Sequence, residues 1–198
     1  RLINEPTAAA FAYGLEKNKR GTYFVFDLGG GTFDVSILKL SEGIFKVIGS
    51  GGDSKLGGDD FDKLFASEIV KHFFNETFSE ISIKDQRFIL NKCKLLKEKI
   101  NDKEYHDEIF VVNEVSKNIK ITPDFFNSAV DSLIDRTIEI SEGLLSECNL
   151  ESKSIDGFIL VGGSTRLKRI EEKIKNKFGI KIFNNINPDL VVSFGAAL

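Results

Sequence analysis

Asp27-Leu28-Gly29-Gly30-Gly31-Thr32-Phe33-Asp34 lies between two runs, 22–26 and 35–40, rich in β-branched and aromatic residues. That order reads as strand, glycine turn, strand. Three successive glycines remove every Cβ from the turn, so backbone N–H groups can converge on an anion. Asp27 and Asp34 flank the turn, and a carboxylate beside an anion site points to a divalent cation. The stretch therefore reads as the phosphate-binding hairpin of a nucleotide-binding α/β protein.

Working outward, Asn4-Glu5-Pro6-Thr7 followed by Ala8-Ala9-Ala10-Phe11-Ala12-Tyr13 predicts a helix. Asn4 caps it, Pro6 is tolerated in the first turn, and Gly14 or the 17–21 stretch ends it. A third strand at 44–48 completes an antiparallel meander, and a loop of glycines and acids covers 51–62. Phe61, Leu64, Phe65, Ile69 and Phe73 recur at helical spacing over 61–74. Residues 83–100 read as a second amphipathic helix with Phe88, Ile89, Leu95, Leu96 and Ile100 inward. Short strands are expected at 108–112 and 118–121, and Thr122-Pro123-Asp124 caps a long helix reaching about Cys148. The remainder alternates as strand 157–161, loop 162–165, helix 166–178, strand 181–183 and a helix from Pro188.

Ile159-Leu160-Val161-Gly162-Gly163-Ser164-Thr165-Arg166 is a second anion candidate. A buried strand runs into a Gly-Gly loop that opens a helix, so free N–H groups and the positive end of the helix dipole face whatever sits there. Arg166, in the first turn, could stack on a purine or reach a phosphate. Plain strand-to-helix packing also uses such glycines, and it is the pairing with the triple-Gly hairpin that favours a ligand. If both loops serve one ligand, the flanking segments fold together as one α/β domain, 1–58 plus 149–198. A smaller inserted domain then occupies 59–148.

At 198 residues the chain can bury a core and hold one or two domains. A net charge of −3 gives no electrostatic argument for nucleic acid. No apolar run approaches the roughly 20 residues of a membrane span, and no signal-peptide pattern opens the chain. Cys93 and Cys148 match no metal-ligand spacing, which suits reduced thiols in a cytoplasmic protein. The chain has no Met and opens at Arg1 inside a helical pattern, so the expectation is a piece of a longer protein. Lys92, Lys94, Lys97 and Lys99 read as a solvated helix face. His72 and His106 stand alone, and Ser164 lacks the Gly-x-Ser-x-Gly surroundings of a nucleophile.

Ile3-Asn4-Glu5-Pro6-Thr7-Ala8-Ala9-Ala10, the triple-Gly hairpin, Leu56-Gly57-Gly58-Asp59-Asp60-Phe61-Asp62, Val161-Gly162-Gly163-Ser164-Thr165-Arg166, and Asn187-Pro188-Asp189 with Gly195-Ala196-Ala197 occur in that order. Together they resemble the second lobe of the nucleotide-binding domain of DnaK-type heat-shock chaperones, across essentially the whole chain. The resemblance implies an actin-like, ribonuclease-H-like lobe, a mixed sheet with flanking helices, that binds ATP or ADP with Mg2+ and K+. It implies that Gly29, Gly30, Gly31 and Thr32 hold the β- and γ-phosphates, and that Asp27 positions water or the magnesium hydration shell. Asp34 would order a cation; Gly162, Gly163, Ser164 and Arg166 would hold the nucleoside and α-phosphate, with Lys97 and Asp189 supporting that pocket. Glu5 falls in the motif that relays nucleotide state. Implied partners are a client peptide or protein, a J-domain co-chaperone and a nucleotide-exchange factor.

Gly51-Gly52-Asp53-Ser54 and a short inserted domain resemble the HscA-type chaperones devoted to iron–sulfur cluster assembly, which adds an iron–sulfur scaffold protein to those partners. The sequence departs from the family at Lys94, where Glu is expected, and at Glu98, where Arg is expected against adenine; weakened nucleotide affinity follows. The family's other lobe and its peptide-binding domain have no counterpart here, so this chain alone is expected neither to hydrolyse ATP nor to bind peptide. A sugar or acetate kinase of the same superfold, and a non-enzymatic actin-like module, remain alternative readings of the same loops.

Overall fold

The computed structural model describes residues 2–15 and 20–198. Within them the elements run α1 (Glu5–Ala12), β1 (Arg20–Leu28), β2 (Phe33–Ser41), β3 (Ile44–Asp53), α2 (Gly58–Ile69), α3 (Ile83–Lys99), β4 (His106–Val112), β5 (Val115–Ile121), α4 (Pro123–Glu147), β6 (Gly157–Val161), α5 (Lys168–Phe178), β7 (Ile182–Phe183) and α6 (Val191–Ala196). Arg1, and most of the 17–21 stretch expected to end α1, lie outside the described residues. Gly14, at φ +66°, closes the helix with its N–H donating to Phe11 O at 2.8 Å. At the other end Asn4 caps with its carbonyl, which accepts from Ala8 N–H at 2.9 Å, and not with its side chain.

Two compact units emerge: Arg1–Gly58 with Asp135–Leu198, and Asp59–Ile134. The second division falls inside α4, because that helix continues unbroken past the point where its packing partners change. The sequence expectation of 148/149 marks the helix end instead.

The first unit is built on a sheet of order β3-β2-β1-β6-β7. β1, β2 and β3 form the antiparallel meander, and β6 runs parallel to both β1 and β7. β6 is buried at every residue, as a central parallel strand covered on both faces should be. The period of two sorts the side chains. Tyr23, Val25, Leu38, Leu40, Ile159 and Val161 join Ala9, Ala10 and Val191 of α1 and α6 in one core. On the opposite face Phe24 stacks on Phe158 with centroids 4.6 Å apart, and Phe158 meets Phe178 of α5 at 5.0 Å. Asp27 continues the Tyr23–Val25 face and Asp34 the Leu38–Ser36 face. Alternation thus delivers both carboxylates to the side of the sheet that carries α1.

The second unit packs α2, α3 and the first part of α4 with the β4–β5 hairpin. Phe61, Phe65, Phe110 and Phe126 are fully buried, and Phe65 meets Phe126 edge-on at 5.0 Å. The hairpin turns on Asn113 and Glu114, both with positive φ, as a two-residue turn between right-twisted strands requires. Two expectations for α3 fail: Phe88 is 46% exposed and Leu95 54% exposed. The buried set is Ile89, Cys93, Leu96 and Lys97, one stripe centred between the two outlying residues, and each of these two sits one position off it.

The lysine face of α3 is only partly free. Lys92 and Lys99 both pair with Glu108, at 2.9 and 3.0 Å. Lys97 is buried against Asp62, with Nζ 2.9 Å from each carboxylate oxygen and a hydrogen bond in good geometry to Oδ2. Burial pushes the Asp62 carboxyl above its ordinary value while Lys97 pulls it down. Lys97→Met is therefore expected to destabilise the protein by about 3 kcal/mol, since it leaves a buried carboxylate unpaired. Asp62→Asn added to Lys97→Met should recover most of that loss in urea melts; an additive double variant would refute the coupling.

Candidate functional site

β1 and β2 bring Asp27 opposite Asp34 and Leu28 opposite Phe33. Leu28 and Phe33 are fully buried and anchor the turn, and Gly29 N–H donates across it to Thr32 O at 3.1 Å. Gly30, Gly31 and Thr32 are exposed. Among the described residues neither the Gly30 nor the Gly31 N–H donates to another backbone group. Two free donors on adjacent peptides of an exposed turn form a concavity suited to an anion.

The second loop leaves the C-terminal end of β6, the strand beside β1. Gly162 has φ +84°, and a Cβ there would collide with Leu28 carbonyl and Asp27; only glycine lets the two strand ends approach. Its N–H donates to Pro188 O at 3.1 Å. The helix expected from Arg166 begins later. Gly163–Arg166 is a 3-10 turn and α5 starts at Lys168. Likewise α6 starts at Val191, not Pro188.

The side chains of this loop are committed locally. Ser164 Oγ donates to Gly29 O at 3.0 Å, and Thr165 Oγ1 donates to Gly162 O at 2.7 Å. Arg166 Nη2 donates to Asn187 Oδ1 at 2.7 Å and also reaches Asp189 Oδ2. Asp189 also sits against Gly163, where a Cβ would lie 2.8 Å from its Oδ1. The structure thus joins Gly29, Gly30, Gly31, Gly162, Gly163, Ser164, Arg166 and Asp189 in one unit. Lys97 belongs to the second unit and is held by Asp62. Sequence reasoning missed Asn187 as the bridge to Arg166. It also assigned no chemistry to Gly57 and Gly58; a glycine pair without side chains offers none to read.

Beside the turn, Glu5, Asp27 and Asp34 line a cavity of about 50 Å³ together with Pro6, Val25, Ser36 and Val161. Burial first, then the charges of Glu5 and Asp34, push the Asp27 carboxyl up to about 7. Three carboxylates and no cationic side chain line this space, which is room for one or two water-sized occupants. The residues fit a hydrated divalent cation. Among the described residues no three His, Cys, Asp or Glu side chains converge on a single ion position, so water and phosphate oxygens would complete the shell, as magnesium prefers. No helix among the described residues is long and apolar enough to cross a membrane.

The sequence profile of the Hsp70 protein family matches residues 1–198. The chain belongs to the Hsp70 family. It is similar to a chaperone protein HscA homolog of Polynucleobacter asymbioticus, 40% identical over 203 residues that cover 100% of this chain and 32% of that protein. It is similar also to an HscA homolog of Histophilus somni, 41% identical over 200 residues covering 100% of this chain and 31% of that protein. The chain thus spans about a third of the length of the curated relatives it matches. Its five-stranded mixed sheet with flanking helices is the architecture of the actin-like Hsp70 ATPase lobe.

Proposed function

We propose that this chain is the second lobe of the ATP-binding domain of an HscA-type Hsp70 chaperone that couples ATP hydrolysis to client-peptide binding in iron–sulfur cluster assembly. The observation that carries the reading is the hydrogen bond from Ser164 Oγ to Gly29 O at 3.0 Å. Two glycine loops more than a hundred residues apart meet at the C-terminal ends of adjacent parallel strands, where open α/β sheets take their ligands.

In this reading the N–H groups of Gly30, Gly31 and Thr32 hold the β- and γ-phosphates. Gly162, Gly163, Arg166 and Asp189 shape the nucleoside side of the site. Asp27 holds the attacking water, Asp34 helps order magnesium and potassium, and Glu5 transmits the state of the site through α1. Bound magnesium supplies charge neutralisation on the phosphate oxygens. The protein contributes positioning and oriented donors, which is most of what phosphoryl transfer asks of it.

The test is MgATP turnover by the longer protein that carries this chain, with and without a J-domain co-chaperone. Slow hydrolysis accelerated by the co-chaperone is expected, while the isolated 198-residue chain shows no steady-state turnover. Phosphoryl transfer to a small hydroxyl compound, indifferent to the co-chaperone, would establish a kinase instead. Nucleotide binding without turnover would establish a non-enzymatic actin-like module. Within the leading reading, Lys94 and Glu98 weaken the grip on adenine, and an iron–sulfur scaffold protein and an exchange factor are the further partners.

A further inference from the structure

Leu56-Gly57-Gly58 carries no side chain that could hold a ligand, yet it lies against the back of the glycine turn. A Cβ on Gly57 would sit 2.5 Å from Gly30 O and 2.6 Å from both Gly30 C and Gly31 N. The obstacle is backbone, which cannot swing aside. Gly57 is not among the glycines with positive φ, so glycine is needed here for the approach alone. Its neighbour Gly58 donates its N–H to Gly29 O at 3.0 Å, and that carbonyl also accepts from Ser164 Oγ at 3.0 Å.

The peptide bond converts these contacts into a statement about the anion cradle. Gly29 C=O and Gly30 N–H belong to one planar trans peptide, so the two point in opposite directions. Holding Gly29 O with two donors fixes the direction of Gly30 N–H and polarises it as a donor. Gly30 C=O and Gly31 N–H share the next peptide, and the Cα of Gly57 packs on that plane. The two peptides that carry the Gly30 and Gly31 N–H groups are each held by these contacts.

We infer that Gly57 and Ser164 are positioning residues for the phosphate cradle: without touching the ligand, they set the aim of the Gly30 and Gly31 N–H groups. They thereby govern affinity for the phosphates of a nucleotide and not for its base or sugar. This rests on the nucleotide reading above. It also gives the Ser164 hydroxyl a different task from direct contact with the nucleoside. A donor pair fixed in advance binds more tightly than one that must be ordered by its ligand.

The experiment compares ADP with adenosine, which lacks the phosphates, by calorimetry on the longer protein carrying this chain. Ser164→Ala removes one of the two donors to Gly29 O and is expected to weaken ADP about five-fold. Ser164→Thr keeps a hydroxyl and restores the affinity. Gly57→Ala forces the turn to move and is expected to weaken ADP more than about ten-fold. Adenosine affinity stays within about two-fold in all three, since neither residue touches base or sugar; a direct contact would cost it about the worth of one hydrogen bond. Equal losses for ADP and adenosine would overturn the inference, because a merely structural role or direct nucleoside contact moves both. Wild-type protein that binds ADP alongside an unchanged Ser164→Ala variant would overturn it too, leaving the nucleotide reading intact. Wild-type protein without ADP affinity would remove both readings together. If Gly57→Ala fails to fold, the Ser164 pair still decides.

Discussion

Gly195→Ala is expected to destabilise this protein by about 2 kcal/mol or more, although alanine is the better helix former. Gly195 lies inside α6, where the intrinsic preference favours alanine by about 1 kcal/mol. Packing reverses the sign. A Cβ at Gly195 would overlap the Ala8 carbonyl oxygen and lie 3.1 Å from Ala12 N, so the new methyl meets the backbone of α1 and not a side chain that can turn away. Ala8, Ala9 and Ala10 are fully buried, as is Val191 on the facing helix. The overlap can be relieved only by moving α1 away from α6. For a chain of this length the expected fall in Tm is about 5 °C or more. Gly143 supplies the control: it lies in α4, and a Cβ there meets nothing within 4 Å. Gly143→Ala should therefore raise Tm by about 2 °C, from propensity alone. A Gly195→Ala variant that melts at or above wild type would show that the two helices do not depend on this contact. Because α1 carries Glu5 to the cavity shared with Asp27 and Asp34, the same variant should also weaken Mg2+-dependent nucleotide binding in the longer protein.

That contact explains what was legible in the amino-acid order and what was not. Ala8-Ala9-Ala10 and Gly195-Ala196-Ala197 stand out as motifs, yet spacing along the chain says nothing of their meeting; small residues mark a close approach without naming the partner. The hairpin around Gly29–Gly31 was fully readable, since its alternation, glycines and flanking carboxylates are local. The two separated glycine loops suggested an insertion, whereas a division inside α4 has no signal in the sequence, because a continuous helix carries none where its packing partners change. Phe88 and Leu95 misled because α3 buries a stripe centred on Ile89, Cys93 and Leu96, and two large apolar residues beside that stripe look as though they belong to it. Ser164 and Gly57 were recognisable only as parts of longer motifs. Their work is hydrogen bonding and packing to a backbone carbonyl, which depends on three-dimensional approach.

Asp27→Asn is expected to stabilise the metal-free protein at alkaline pH and, on the proposed nucleotide reading, to abolish ATP turnover by the longer protein that carries this chain. Asp27 is pushed from 3.8 to about 7, by burial above all and then by the charges of Glu5 and Asp34. Between those two values the folded protein holds a proton that the unfolded chain has released. The stability this group contributes is therefore fully present below about pH 4 and is lost as pH rises through 7. A tenfold change in proton affinity corresponds to about 1.4 kcal/mol, but Asp27 is only partly buried, and solvent screening reduces the net effect to about 1–2 kcal/mol. Asparagine carries no charge at any pH. The variant should match wild type near pH 4 and melt about 2–6 °C above it at pH 8 in the presence of a chelator. Mg2+ and ADP should reverse the order in the longer protein, since a hydrated cation near Asp27 relieves in wild type the repulsion that the variant has already lost. ATP turnover should fall to background in the variant, because Asn cannot accept a hydrogen bond from water at both side-chain positions. A variant less stable than wild type at pH 8 without metal would show that Asp27 is held by favourable contacts and not by crowding of like charge. The cation assignment of the cavity would then fail with it.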